Sequence, residues 1–320
     1  MKMLMKAIFI FLPLALQLLQ SCAQLAQNSP PSEGSDELGA AQSVPRKLQF
    51  EFCWQDSPHA NQDARNRVRE VLLEQYGKTP LILSGFEPCG TRSRNPNIYK
   101  IYEYDSAEWS PMVSGVGTKG TLHKTLNGIQ WNMILNHTFK NWSEVCSSSE
   151  SRAHNCITAL ALHEVGHLVG LRHEHVRADS TCKSLNEMLD EEVIPVGRYD
   201  PDSIMNHCQG GTFNYFNSSR RLSPGDTATM WTLYGSLYPH GWLAMVSEIR
   251  GTVLKRMPDA TADHDRCYLL YRSRLQFSFV GVFNNHIKVK LQLSSLSNEC
   301  KSKVDGDTAY IFPQHFRFWR

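Results

Sequence analysis

None of the nine cysteines falls in a CxxC pair, which removes the usual thiolate zinc site and the thioredoxin-like redox motif. Charge of one sign is also missing. With 33 basic and 31 acidic residues the net charge is +2, and no long basic stripe or interleaved aromatic motif marks a nucleic-acid binder. No apolar run is long enough for a membrane span, because the longest, Ala7 to Leu19, is short and broken by Pro13. Internal repeats are absent. What remains is 320 residues with 41% apolar content, enough for one large domain and a smaller one.

The start of the chain reads as an address. Lys2 and Lys6 precede the apolar run, as in a signal-peptide core. The run ends in Leu19-Gln20-Ser21-Cys22, which resembles the lipobox of bacterial lipoproteins. That resemblance implies a lipid on Cys22 and, with Ala23 rather than Asp next, the outer membrane as destination. An ordinary signal peptide with a coincidental Cys is the alternative. Export into an oxidising space fits the eight cysteines left over, an even set.

Residues 23–47 are rich in Gln, Ser, Pro and Gly and read as a flexible linker behind a signal peptide of residues 1–22. From Leu48 the pattern becomes that of a folded domain, expected over residues 48–237. Leu48 to Phe52 alternates like a strand, and Ala60 to Tyr76 carries Ala64, Val68, Val71 and Leu72 on one helical face. Further strands are expected at 81–84, 98–104 and 128–135, with an irregular edge strand within Pro111 to Leu126. A second helix runs from about Glu150 to Val169 behind Ser caps, with Gly170 to end it. A third opens at Ser223-Pro224 with Asp226 in a capping box and stops at Gly235. Residues 238–320 turn to short β-like runs and predict a small β-rich accessory domain. The fold class is therefore α+β.

The chemistry concentrates in His163-Glu164-Val165-Gly166-His167-Leu168-Val169-Gly170-Leu171-Arg172-His173. On a helix, His163 and His167 lie one turn apart and present both imidazoles to one point. Gly170 permits the sharp turn that swings His173 back toward that point. Three neutral imidazoles hold Zn2+ and leave a fourth position for water, the arrangement of a catalytic site. Glu164 lies one position round, placed to take the water's proton rather than bind the metal.

This HExxHxxGxxH pattern is the signature of metzincin zinc proteases, and the likeness continues downstream. Tyr199 to His207 resembles the Met-turn of astacins and of matrixin-like bacterial proteases, which implies Met205 as the hydrophobic base beneath the imidazoles. Glu174, Arg177 and Asp179 match the HExxRxD continuation of astacins. The resemblance covers Leu48 to Gly235 and implies a twisted mixed sheet with two long helices, a zinc cleft and a smaller lower subdomain. One position departs. His207 stands where astacins have a Tyr, and is either a fifth ligand or oxyanion stabiliser, or a structural His beside Cys208. His154 and His175 do not fit the ligand spacing and are expected to face solvent or cap a loop.

The implied activity is a secreted zinc endopeptidase acting on polypeptides, monomeric, membrane-held by its lipid and without a nucleic-acid partner. The alternative is a surface binding module, its C-terminal β-domain recognising a cell-envelope, host or prey ligand on a protease-like scaffold. Chain position favours four nearest-neighbour disulfides, Cys53–Cys89, Cys146–Cys156, Cys182–Cys208 and Cys267–Cys300, with Cys89–Cys146 a conceivable swap.

Overall fold

The computed structural model describes residues 44–105, 111–177, 179–181, 196, 198–206, 221–237, 242–246, 248, 252–256, 266–270, 272–283, 285–292, 296–297, 300–301 and 308–319. Cys22, Cys182, His207 and Cys208 lie outside them. All the described residues belong to one compact unit, Gly39–Arg320.

Five strands build the first sheet: β1 (Gln49–Trp54), β2 (Ile82–Pro88), β3 (Tyr99–Glu103), β4 (Met112–Val113) and β7 (Met133–Leu135). Their order is β2-β1-β3-β7-β4. The first four run parallel, and β4 closes the edge antiparallel to β7. Alternation in β1 sends Phe50 and Phe52 to one face, where both are fully buried against Tyr99 of β3.

Two helices cover that face. In α1 (Gln62–Tyr76), Asn61 caps the N-terminus by accepting the Ala64 N–H. Ala64, Val68, Leu72 and Tyr76 then recur every fourth residue as its buried stripe. Two residues after a short helix α2 (Glu144–Ser147), α3 (Glu150–Leu168) starts at the Ser149 cap and is buried continuously from Cys156 to Leu168. The Tyr76 hydroxyl donates to the Leu162 carbonyl at 2.9 Å and ties the two long helices together.

On the opposite face, a hairpin of β5 (Lys124–Leu126) and β6 (Ile129–Trp131) packs Trp131 against Tyr102 and Ile134. Its turn is Asn127-Gly128, both at positive φ (52° and 79°), the conformation a two-residue hairpin needs. The strand expected over 128–135 is divided between β6 and β7 at Asn132. The buried Asn132 side chain accepts the Lys100 N–H at 2.8 Å and donates to the Gly120 carbonyl at 2.9 Å. The expected edge strand shrinks to Met112 and Val113, since the chain after it coils into a 3-10 turn, Gly117–Thr121.

The next long helix, α4 (Pro224–Tyr234), carries the expected capping box. After it come β8 (Trp242–Val246), β9 (Thr252–Lys255), β10 (Arg266–Leu269), β11 (Arg274–Phe283), β12 (His286–Leu291), β13 (Thr308–Ile311) and β14 (Phe316–Trp319). They form one sheet ordered β10-β9-β13-β12-β11-β8-β14, with every pairing antiparallel. Its inner face shares a continuous core with the rest of the unit. Trp231 of α4 stacks on Phe279 and meets Phe318 edge-on. Gly235 ends α4 without a left-handed turn (φ −59°). A Cβ there would lie 2.8 Å from the Phe279 ring, so packing demands the glycine.

Cysteines 53 and 89, 146 and 156, and 267 and 300 are joined as disulfides. Cys182 and Cys208, the fourth expected pair, lie outside the described residues.

Candidate metal centre

His163 and His167 occupy consecutive turns near the C-terminus of α3, both buried, with ring centroids 4.6 Å apart. The helix then ends in a Schellman turn. Leu171 N–H bonds back to the Gly166 carbonyl at 2.8 Å and Gly170 N–H to the His167 carbonyl at 2.9 Å. Gly170 has φ 94°, which L side chains rarely adopt, and a Cβ there would press to 3.1 Å from the Val44 side chain. This reversal carries His173 back, placing its ring centroid 4.7 Å from that of His167 and 5.3 Å from that of His163.

Backbone carbonyls orient the rings. Nδ1 of His163 lies 2.9 Å from the Ile204 carbonyl, and Nδ1 of His167 lies 2.9 Å from the Leu171 carbonyl. A carbonyl only accepts, so each Nδ1 carries the proton and each Nε2 presents a lone pair. The Nε2 atoms of His167 and His173 are 3.0 Å apart, and one ring nitrogen from each of the three imidazoles falls within 4.8 Å of the others. Two ligands on a tetrahedral zinc, at 2.0–2.1 Å each, stand about 3.3 Å apart. Converging neutral imidazole lone pairs are a donor set for zinc, and the three residues fit it.

Glu164 is 4% exposed, and burial pushes its carboxyl up to about 8. A dication at the centre of the imidazoles would pull that value back down, since an opposite charge favours the carboxylate.

Met205 lies beneath α3, 1% exposed. Its Sδ approaches the helix at Gly166, where a Cβ would lie only 2.6 Å from it. The turn bearing Met205 is held from two sides. On one, Glu174 N–H donates to the Met205 carbonyl at 3.0 Å, and the Glu174 carboxylate accepts the Asp200 N–H at 2.8 Å. Arg177 forks onto Asp179 through Nε (2.8 Å) and Nη2 (2.9 Å), and Asp179 accepts the Tyr199 N–H at 3.1 Å. That guanidinium hydrogen bond holds the Asp179 carboxyl below its usual range, whereas burial raises Glu174 to about 7.

On the other side stands Asp226 of α4. It accepts Ser203 Oγ–H at 2.6 Å, Ile204 N–H at 2.9 Å and Ser223 N–H at 2.9 Å. Burial lifts its carboxyl to about 6 in spite of those three bonds. Asp200 accepts Ser223 Oγ–H at 2.6 Å, and Gly225 leaves room for it, because a Cβ there would fall 2.2 Å from Asp200 Oδ2.

The structure thus brings His163, His167 and His173 together, with Glu164 buried on the same helix and Met205 packed against Gly166 between the two helical imidazoles. His207 falls outside the described residues. His175, expected to face solvent or cap a loop, does not face solvent: it is 2% exposed and stacks on His173 at 5.2 Å. His154 sits partly exposed beside Glu150 on the first turns of α3, away from the site. Sequence reasoning found Asp226 as a helix cap and missed its grip on Ser203 and Ile204. The carbonyl anchors at Ile204 and Leu171 carry no sequence signal, since any residue offers a carbonyl.

No family model and no curated protein matches the chain. Among solved structures, it is similar to myroilysin at 14% identity, over 61% of this chain and 97% of that one, with a TM-score of 0.42. It is also similar to high choriolytic enzyme 1, a hatching enzyme zinc-protease from Oryzias latipes (medaka fish), at 13% identity over 63% and 98% of the two chains, with a TM-score of 0.37.

Proposed function

We propose that the chain is a zinc-dependent endopeptidase of the metzincin type. The observation that carries this reading is the convergence of His163, His167 and His173, with two ring tautomers set by carbonyls and Glu164 beside them on the same helix. A scaffold has no need of a buried carboxyl there, whereas a hydrolase does. When bound, zinc supplies Lewis-acid polarisation of the scissile carbonyl and makes a nearby water acidic. The three imidazoles hold the ion. Glu164 accepts the water proton on its carboxylate and delivers it to the departing peptide nitrogen. Met205, buried against Gly166 between the two helical imidazoles, would form the apolar floor of the site.

Substrate would lie extended along β4. This two-residue strand is the sheet edge, so a peptide strand can add beside it through main-chain hydrogen bonds. Three disulfides support maturation in an oxidising compartment. We place the protein in the bacterial envelope, acylated at Cys22, with residues 23–47 as linker, 48–237 as the catalytic part and 238–320 as the accessory part.

The test is cleavage profiling of a peptide library by the purified protein, before and after zinc chelation and with zinc restored. Cleavage that chelation stops and zinc restores is expected. Cleavage indifferent to the chelator would refute the metal, and none from zinc-loaded protein would refute the peptidase.

A further inference from the structure

The sheet of β8 to β14 has one face in the core and one facing outward, and charge is divided unevenly between this region and the rest. Residues 242–320 contain 12 Lys and Arg against 7 Asp and Glu, a net of +5 in a chain whose total is +2. The preceding residues therefore sum to −3. None of the seven strands contains Asp or Glu, and together they carry six cations: Lys255, Arg266, Arg274, Lys288, Lys290 and Arg317.

Strand alternation puts all six on the outward face. Their neighbours Leu254, Cys267, Leu275, Ile287, Val289 and Phe316 are buried in the core. Register then aligns them. Gly281 pairs with Lys288, Lys288 with Tyr310, Tyr310 with Lys255, and Lys255 with Arg266, one row crossing five strands. With strands about 4.8 Å apart, Lys288 and Arg266 stand roughly 14 Å from each other along that row.

The same face exposes apolar side chains. Three of the most exposed large hydrophobics in the described residues are Tyr268 (59%), Leu270 (79%) and Val280 (53%), all in this sheet or at its strand ends. They flank the basic row from β10 on one side and β11 on the other.

We propose that this face is a docking surface for a membrane bearing anionic headgroups. Phosphate headgroups complement the cations, and the charge is spread over a broad sheet rather than gathered in a pocket, as a lipid surface requires. The aliphatic residues decide between polyanions. Leu270 and Val280 gain by entering the acyl boundary and gain nothing from a charged polysaccharide, while Tyr268 suits the interface between headgroup and chain. The inference is independent of the peptidase reading and of any lipid on Cys22.

It is tested with the compact unit Gly39–Arg320, which omits the apolar start, by co-sedimentation with vesicles of phosphatidylcholine alone or mixed equally with phosphatidylglycerol. Binding is expected to the mixed vesicles only, and to fade at high salt. Each Lys to Gln change should weaken it about fivefold, so Lys255→Gln with Lys288→Gln and Lys290→Gln should weaken it about a hundredfold. Leu270→Ser with Val280→Ser should weaken it severalfold, and far-UV circular dichroism should match the parent in each variant. If the triple variant does not fold, Lys290→Gln and the salt series on the parent decide by the same criteria. Equal binding to both vesicle types, or parent-level binding by the lysine variants, overturns the proposal. So does binding unaffected by the Leu270 and Val280 changes, which would assign the face to a soluble polyanion.

Discussion

The Asp226 carboxylate accepts the backbone N–H of Ile204 at 2.9 Å, and the carbonyl of that Ile204 holds Nδ1 of His163 at the same distance. A helix cap thereby reaches a candidate metal ligand through the backbone of one residue, Ile204. Asp226→Ala would strand the Ile204 and Ser223 amides and the Ser203 hydroxyl, at roughly 1–3 kcal/mol for each buried group left unsatisfied. We expect a loss of at least about 3 kcal/mol in denaturant unfolding and zinc affinity weakened roughly 10–100-fold in chelator competition. Unchanged zinc affinity in a folded Asp226→Ala protein would break the link from cap to ligand.

Asp226→Asn keeps the shape and one acceptor oxygen and does not titrate, so the pH dependence of its stability relative to the parent reports the Asp226 carboxyl. Burial raises the folded-state pKa of Asp226 to about 6, above the ordinary aspartate value of 3.8. Between those values the folded state retains a proton that the unfolded state has lost, so the parent loses stability as pH rises through the window. The stability of Asp226→Asn relative to the parent should therefore increase from pH 4 to pH 6 and level off above. A relative stability that falls with pH would show that the three hydrogen bonds outweigh burial.

Glu164→Ala should leave zinc content and unfolding temperature near those of the parent while peptide cleavage falls roughly 10²–10⁴-fold. Metal analysis beside steady-state kinetics checks both halves. Cleavage at the parental rate would remove Glu164 from the proposed mechanism.

Gly170→Ala forces an L side chain to φ 94° and drives its Cβ toward Val44. The conformational cost is roughly 1–2 kcal/mol, with His173 displaced in addition. Lower thermal stability together with weaker zinc binding is expected. An equally stable variant would mean that the turn relaxes to a negative φ without loss.

Trp231→Ala opens a cavity between α4 and the C-terminal sheet, where the indole is fully buried against Phe277, Phe279 and Phe318. A destabilisation of roughly 3–5 kcal/mol is expected in a single calorimetric transition, because the core is continuous. Two resolved transitions would make the sheet an independently folding domain.

Legibility followed the range of the interactions. Helix α3, its Ser149 cap and the Gly170 turn are local, and the i, i+4 spacing of His163 and His167 states their geometry outright. The α4 capping box was legible for the same reason. Its further grip on Ser203 and Ile204 was not, since it crosses 22 residues or more and uses backbone groups with no residue signature. The burial of His175 was not legible, because spacing alone says nothing of a ring that packs on His173 from outside the set of His163, His167 and His173. β4 is shorter than the edge strand expected within Pro111 to Leu126, as partnership with β7 extends only to Met112 and Val113.

The two carbonyl anchors differ greatly in reach. His167 finds its partner four residues on, at Leu171, whereas His163 waits for Ile204, 41 residues away. Chain closure scales with the logarithm of separation, so the second contact costs about 2 kcal/mol more in chain entropy. One corner of the metal centre is therefore a property of the helix end itself. The other exists only while the turn at Ser203, Ile204 and Met205 is held in place by Asp226 and Glu174, which makes His163 the imidazole whose aim reports on contacts far along the chain.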